Sequence, residues 1–481
     1  MNYKIIFRVL GFLLFVEGIA MILAFIISLI YSEYDQAAFL ISAGINITLG
    51  GLIVYLTRKV NKDIGRKEGY IIVSSVWIVF SFFGSLPYVI SGAIPNFTNA
   101  FFETMSGFTT TGSSILADIE SLPHGILFWR SITQWLGGMG IIVLSLAILP
   151  VFGIGGMQLY TAEVPGPTPD KISPRIRQTA KTLWVIYLGF TVTEMLLLWV
   201  GGMSVFDAVC HSFTTMATGG FSTKQASIAH WSSPFIHYVI VVFMFFAGTN
   251  FTLSYLAIQG KFKRVFKDEE LKYYGFFILV FTAIVFTGLL ITSQLGVEKS
   301  FRDALFQVVS IITTTGYATA DYLTWAPILT IIIFVLFFFG GSAGSTGGGM
   351  KIMRIVLLLK NSYYELRRMV HPHAIIPVKF NNHSVDAKIV TNVLAFFMFY
   401  FAIFGASTVI FTLIEPDMES AMGAVATSLG NIGPGIGNVG PADNFLHIKP
   451  LGKWFLSFLM LLGRLELFTV LVLFSPSFWK E

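Results

Sequence analysis

Four fourteen-residue stretches of this chain share a pattern: NAFFETMSGFTTTG (99–112), DAVCHSFTTMATGG (207–220), DALFQVVSIITTTG (303–316) and SAMGAVATSLGNIG (420–433). Aligned without gaps, each has alanine second (Ala100, Ala208, Ala304, Ala421) and glycine last (Gly112, Gly220, Gly316, Gly433). TTT, ATG, TTT and GNI precede the glycines. The chemistry that suits these residues is ligation of a cation by oxygen. Glycine permits positive φ, which turns a backbone carbonyl toward an axis. Threonine packs its methyl outward and adds a hydroxyl. Each stretch is mostly apolar and too short to cross a bilayer, so it reads as a re-entrant or interfacial segment.

Irregular backbone at membrane depth is tolerated where it is buried in protein or lines water. Four such loops from one chain can surround one axis, and their carbonyls would replace the hydration shell of an ion. Each half-helix would aim the negative end of its dipole at that ion. The bland alternative is close helix packing through small residues. Four copies in register, each after a short apolar segment, favour the loops.

Other residues invite other chemistry. Gly340, Gly341, Ser342, Ala343 and Gly344 match the G-x-S-x-G nucleophile elbow. That elbow needs a strand before it, a helix after it, and a His and an acid in reach. An apolar stretch precedes it here, which argues against a serine hydrolase. GGGMK (347–351) is not a phosphate-binding loop, because lysine does not directly follow glycine. Glycine this dense cannot continue a stable helix. Residues 340–351 therefore read as a loop that obstructs a pathway and moves to open it. Its members are Gly340, Gly341, Ser342, Gly344, Ser345, Thr346, Gly347, Gly348, Gly349 and Lys351. A packing kink is the structural alternative.

Arg464, in SFLMLLGRLELF (456–467), lies near the middle of an apolar stretch, where a charge is costly. Facing a pore, it would repel cations and form a barrier alongside the 340–351 loop. Glu466, two residues on, lies on another helix face. His211 beside Cys210 suggests a metal, but two adjacent ligands make a weak site, and packing is the simpler reading. Asp207, Asp303, Glu103, Asp118 and Glu120 fall where basic residues are few and would draw cations to a vestibule. Taken singly, each reads as a solvated or capping residue. No H-E-x-x-H, metal cluster or paired acid–base set supports a polytopic membrane enzyme.

The elements that must position these residues are membrane spans. Of 481 residues, 55% are hydrophobic and 12% charged; a soluble domain carries about 25% charged residues. Ten spanning helices are expected, at roughly 5–31, 36–58, 70–93, 127–150, 182–200, 233–258, 273–293, 326–360, 388–414 and 451–475. The first is too long and too uniformly apolar for a signal peptide. One cysteine excludes an intramolecular disulfide framework.

Lysine and arginine concentrate at 58–67, 170–181, 260–272 and 351–388, and are absent from 68–129 and 389–448. The positive-inside rule makes the basic loops, and both termini, cytoplasmic. The net charge of +5 thus reports topology rather than nucleic acid. The expected fold is an all-α polytopic membrane protein with four helix–pore loop–helix repeats around a pseudo-fourfold pore, preceded by two extra helices. Its expected units are 1–67, 68–165, 166–265, 266–380 and 381–481.

Three further stretches carry a family likeness: SITQWLGGMGIIVLSLAILP (131–150), GGSAGSTGGGMKIMRI (340–355) and GNIGPGIGNVGP (430–441). With the four repeats, they resemble the Trk/Ktr/HKT potassium transporters, specifically the longer bacterial Trk membrane subunit, over essentially the whole chain. The resemblance implies K⁺ translocation across a bacterial cytoplasmic membrane, no cofactor in this chain, and a homodimer in lipid. It also implies a cytoplasmic nucleotide-binding regulatory subunit of the RCK type. The family's K⁺ filter carbonyls would fall on Thr110 and Thr111, Thr218 and Gly219, Thr314 and Thr315, and Asn431 and Ile432. Gly112, Gly220, Gly316 and Gly433 would close the filter. The family also points to a pore loop at 340–351 and to an arginine at 464. Repeat four lacks threonine at the filter, which leaves a Na⁺-permeable or H⁺-coupled symporter as the alternative on the same scaffold.

Overall fold

The structure, a computed structural model, describes residues 1–58, 65–140, 176–371, 373, 374 and 376–480. The second half of the expected span 127–150, parts of three basic stretches and the unit limit at 165 lie outside the described residues.

The described residues are predominantly helical. Helices α1 (Tyr3–Tyr31) and α2 (Gln36–Leu56) form an antiparallel hairpin. Glycine lets them touch: a Cβ on Gly50 would lie 2.5 Å from the Gly11 carbonyl oxygen. The hairpin packs on α3 (Arg66–Gly84) and on α6 (His124–Gly138). Between those two lie α4 (Leu86–Ser91) and α5 (Phe97–Phe108). The pattern of a long helix, a short one and a return helix recurs. α7 (Ile176–Val200) leads to α8 (Val205–Met216) and the bent pair α9 (Pro234–Ala247) and α10 (Phe251–Ile258). Then α11 (Glu269–Thr292) precedes α12 (Val297–Ile312) and α13 (Pro327–Leu336). Finally α14 (Ile352–Val370) and α15 (Ala387–Phe411) precede α16 (Met418–Gly430) and the bent pair α17 (Pro450–Arg464) and α18 (Phe468–Leu471). A two-stranded antiparallel hairpin, β1 (Lys379–Phe380) and β2 (His383–Ser384), links α14 to α15 and pairs Lys379 with Ser384.

Among the described residues, six helices are long and apolar enough to cross a membrane alone: α1, α2, α7, α11, α15 and the run Lys67–Ser91. Three expected spans differ from simple rods. The span at 233–258 bends by 105° between α9 and α10, and the span at 451–475 bends by 110° after Arg464. The span at 326–360 is α13, an irregular stretch and the start of α14. The first bend has a physical reason. Asn250 caps the new helix by accepting from the Thr252 amide at 2.8 Å. The carbonyls of Ala247 and Gly248, freed from the helix, instead accept the amides of Thr346 and Ser342.

The four half-helices are α5, α8, α12 and α16. Three start on a side-chain cap that accepts from a first-turn amide: Asn96 from Asn99, Ser204 from Asp207 and Asp417 from Ser420. Gly296 precedes the fourth. The repeated alanines are all fully buried, so a methyl is the largest group their shared position holds. Large apolar side chains such as Phe102, Phe108, Phe306 and Leu429 fill the space behind the half-helices.

Candidate functional site

Each half-helix ends in the same way. The residue before the terminal glycine donates its amide to the carbonyl five residues back: Thr111 to Ser106, Gly219 to Thr214, Thr315 to Ser310 and Ile432 to Thr427, at 2.8–3.0 Å. The residue two before the glycine is left-handed in every copy: Thr110 (φ 54°), Thr218 (54°), Thr314 (58°) and Asn431 (52°). So is the glycine: Gly112 (85°), Gly220 (74°), Gly316 (81°) and Gly433 (107°). Left-handed residues two apart turn alternate peptide units over, so carbonyls that would otherwise alternate face one way. The sequence pattern anticipates the left-handed glycines. It gives no sign of the left-handed threonines, because β-branched residues avoid positive φ.

The loops close into a ring. A Cβ on Gly112 would lie 2.3 Å from the Gly219 oxygen, and one on Gly220 would lie 2.0 Å from the Thr315 oxygen. A Cβ on Gly316 would lie 1.9 Å from the Ile432 oxygen, and one on Gly433 would lie 2.9 Å from the Thr111 oxygen. Each glycine is thus seated on the carbonyl just before the glycine of the next loop, and the fourth returns to the first. The ring is not fourfold in detail. Gln134 on α6 donates to the Gly219 carbonyl at 2.6 Å and accepts from the Phe221 amide, which leaves that oxygen its second lone pair. Asn431 donates to the Thr111 hydroxyl and to the Met460 carbonyl. In loops one and three the flanking threonines bond each other, Thr109 to Thr111 and Thr313 to Thr315, each at 2.8 Å.

The 340–351 loop lies against one side of this ring. Thr346 Oγ1 donates to the Met216 and Ala247 carbonyls at 3.0 and 3.2 Å. The Gly348 amide donates to Thr314 Oγ1 at 2.7 Å. A Cβ on Gly348 would lie 2.6 Å from the Gly430 oxygen. Gly340 is closed against Met350 by a 2.8 Å backbone bond, Gly344 accepts the Phe251 amide, and Lys351 donates to the Gly347 carbonyl. The left-handed φ of Gly344 and Gly349 lets the loop turn back on itself. Gly341 packs beside the Gly248 backbone and Gly347 beside the Thr313 carbonyl. Ser342 is buried, with neither a strand before it nor a hydrogen-bond partner for its hydroxyl, and Ser345 is likewise unpartnered.

Arg464 completes this layer. Its guanidinium donates to Thr110 Oγ1 (3.2 Å), the Thr346 carbonyl (2.9 Å) and the Gly137 and Gly138 carbonyls. Loop one, the 340–351 loop and the end of α6 thus share one cation. Glu466 pairs with Arg354, at the start of α14, and not with Arg464.

On the other side, all four ring glycines line a cavity open to solvent. Here the expected acidic vestibule needs correction. The charged side chains of the lining are Arg130, Lys224 and Asp443, and none of the five expected acids is among them. Glu103 is fully buried and pairs with Arg130 at 2.9 Å, while accepting from Ser114 and the Ile115 amide. Asp207 and Asp303 are each held by a threonine sixteen residues on, Thr223 and Thr319. Asp118 and Glu120 are exposed. Cys210 and His211 are buried, with His211 bonded to the Asp207 carbonyl and to Ser222.

Four half-helices whose loops close around one axis define a polytopic, channel-like membrane protein. A model of the TrkH family, described as cation transport protein, matches residues 35–481. The Trk system potassium uptake protein TrkH of Escherichia coli K12 is 42% identical over the full length of both chains. The protein of that name from Halomonas elongata is 40% identical, again over both full lengths. The crystal structure of the potassium transporter TrkH from Vibrio parahaemolyticus superposes with a TM-score of 0.89, at 38% identity and full coverage of both chains. The chain belongs to the TrkH family of cation transport proteins. It is a transporter and not an enzyme, which disposes of the nucleophile elbow at Ser342.

Proposed function

We propose that this protein takes up K⁺ through a gated, channel-like pore whose selectivity filter is the four-loop ring. K⁺ sheds water at Thr110–Gly112, Thr218–Gly220, Thr314–Gly316 and Asn431–Gly433, then meets the 340–351 loop and Arg464, which form the gate. The observation that carries this reading is the seating of each ring glycine on the next loop's carbonyl. It brings four chain segments, far apart in sequence, to one axis with their peptide oxygens adjacent. Oxygen cages of this kind replace an ion's hydration shell. The names of the full-length relatives support K⁺ as the ion.

We further propose the unit limits 1–67, 68–165, 166–265, 266–380 and 381–481, with both termini cytoplasmic in the bacterial inner membrane, as the distribution of lysine and arginine supports. A homodimer and a cytoplasmic nucleotide-binding RCK-type subunit are proposed on the sequence resemblance. The test is flux through the purified protein in liposomes under K⁺ or Na⁺ gradients, with and without a pH gradient. Passive flux favouring K⁺ is expected. Flux that needs a proton gradient, or that carries Na⁺ equally, replaces this reading with the symporter or the Na⁺-permeable form.

A further inference from the structure

The stretch GKFKRVFKDEELK (260–272) leads into the spanning helix α11 and carries five basic and three acidic residues. The acids are all spent inside the protein. Asp268 accepts the Leu271 amide at 2.9 Å and the Asn381 side chain at 3.0 Å. Glu269 pairs with Lys360 and accepts the Asn381 amide at 2.8 Å. Glu270 accepts the Ala343 and Met353 amides at 2.8 and 3.1 Å. The cations are not spent. Lys263, Arg264, Lys267 and Lys272 are exposed, and none of their side chains has a hydrogen-bond or ion-pair partner among the described residues.

Two of these lysines line a cleft open to solvent. The lining includes Lys267, Lys272, Tyr273 and Phe276 around the start of α11, with Asn381 and Asn382 from the turn between β1 and β2. Both asparagines are left-handed, at φ 49° and 62°, as the two central residues of a tight hairpin require. Asn381 pins that turn to α11 through Asp268 and Glu269, so the cleft is preformed. Further along α11, Lys272, Phe276 and Leu279 share one helix face. Phe276 is 56% exposed and Leu279 70%. An unpaired lysine thus heads an apolar ridge on a spanning helix. A soluble anion would use the lysines and leave the ridge bare, whereas a phospholipid uses both. Basic clusters beside a spanning helix attract anionic headgroups, and tyrosine favours the same depth.

We propose that this cleft binds the headgroup of an anionic phospholipid, with the phosphate on Lys267 and Lys272 and the acyl chains along Phe276 and Leu279. Glu270, in the same turn of α11, holds Ala343 and Met353, so the bound lipid abuts the turn that anchors the 340–351 loop. Binding does not depend on which ion the protein carries.

The test uses the full-length protein in phosphatidylcholine nanodiscs that contain trace phosphatidylglycerol with a diazirine high on one acyl chain. Light is expected to crosslink this lipid to α11 between Lys272 and Leu279. Unlabelled phosphatidylglycerol is expected to compete it away, and inorganic phosphate is not. Lys267→Gln with Lys272→Gln is expected to raise the phosphatidylglycerol needed for half-labelling by about 25-fold, roughly fivefold for each lysine. Lys4→Gln with Lys480→Gln, the same loss of charge elsewhere, is expected to change it by less than about twofold. Equal labelling by diazirine phosphatidylcholine, competition by inorganic phosphate, or equal effects of the two double variants overturns the proposal. Labelling that maps to another helix does so as well.

Discussion

Glycine is demanded twice at each ring position, by a positive φ and by a neighbouring carbonyl inside the space of a side chain. At Gly316 both demands are severe: φ is 81° and a Cβ would lie 1.9 Å from the Ile432 oxygen. In Gly316→Ser the left-handed backbone alone costs about 1–2 kcal/mol, and the Ile432 carbonyl must move as well. K⁺ over Na⁺ discrimination is expected to fall by roughly tenfold, since about 1.4 kcal/mol is one decade. Reversal potentials in mixed K⁺ and Na⁺ check this, and unchanged selectivity would remove Gly316 from the filter. The glycines were legible in the sequence because glycine adopts positive φ without the steric cost that a side chain brings. The left-handed Thr110, Thr218 and Thr314 were not, because threonine ordinarily marks extended backbone. Their conformation is imposed by the ring around them.

Elements hold the ring from behind and cap it from one side. The Glu103–Arg130 pair ties half-helix α5 to α6, with side chains at most 1% exposed. Glu103→Gln leaves a buried guanidinium without its charge partner, a change expected to cost about 3–5 kcal/mol. A lowered thermal midpoint or a loss of monodisperse protein checks it; a midpoint equal to wild type contradicts it. Sequence alone placed Glu103 in a vestibule because its partner lies 27 residues away on another element. Arg464 works at the opposite face. Removing its bonds to Thr110, Thr346, Gly137 and Gly138 in Arg464→Ala frees the 340–351 loop and takes a positive charge from the pathway. Single-channel or liposome conductance is expected to rise several-fold, because the charge-assisted bonds that hold the loop are lost together. Normal expression with unchanged conductance would count against a gate held by Arg464. The corner that aims Arg464 was hidden in the sequence, since GRLELF carries no proline. It is made by left-handed Glu466 (φ 53°) and Leu467 (59°), and Glu466 is fixed there by its pairing with Arg354.

At the scale of the whole molecule, four copies of one unit enclose a path that no copy forms alone. The repeat was readable because an alanine and a glycine recur at the second and fourteenth positions of each fourteen-residue frame, whatever lies between. Spans without breaks, such as α1, α2 and α15, were equally readable from their apolar length. The bends in the spans at 233–258 and 451–475 were not, because they arise from contacts made far along the chain. The carbonyls freed at Ala247 and Gly248 serve a loop some hundred residues later. The same loop meets all four repeats: Met216 and Thr314 bond it directly, Gly430 packs against it, and Thr110 reaches it through Arg464. The four-loop ring and the 340–351 loop are therefore one packed unit, and a change in either is felt by the other.

The central claim is that an ion binds among the four loops. Anomalous diffraction from crystals soaked in Rb⁺, a heavy stand-in for K⁺, tests it most directly. The account predicts a peak on the axis between the carbonyls of Thr111, Gly219, Thr315 and Ile432, lost when Na⁺ replaces Rb⁺. A peak elsewhere, with none among the loops, would contradict it.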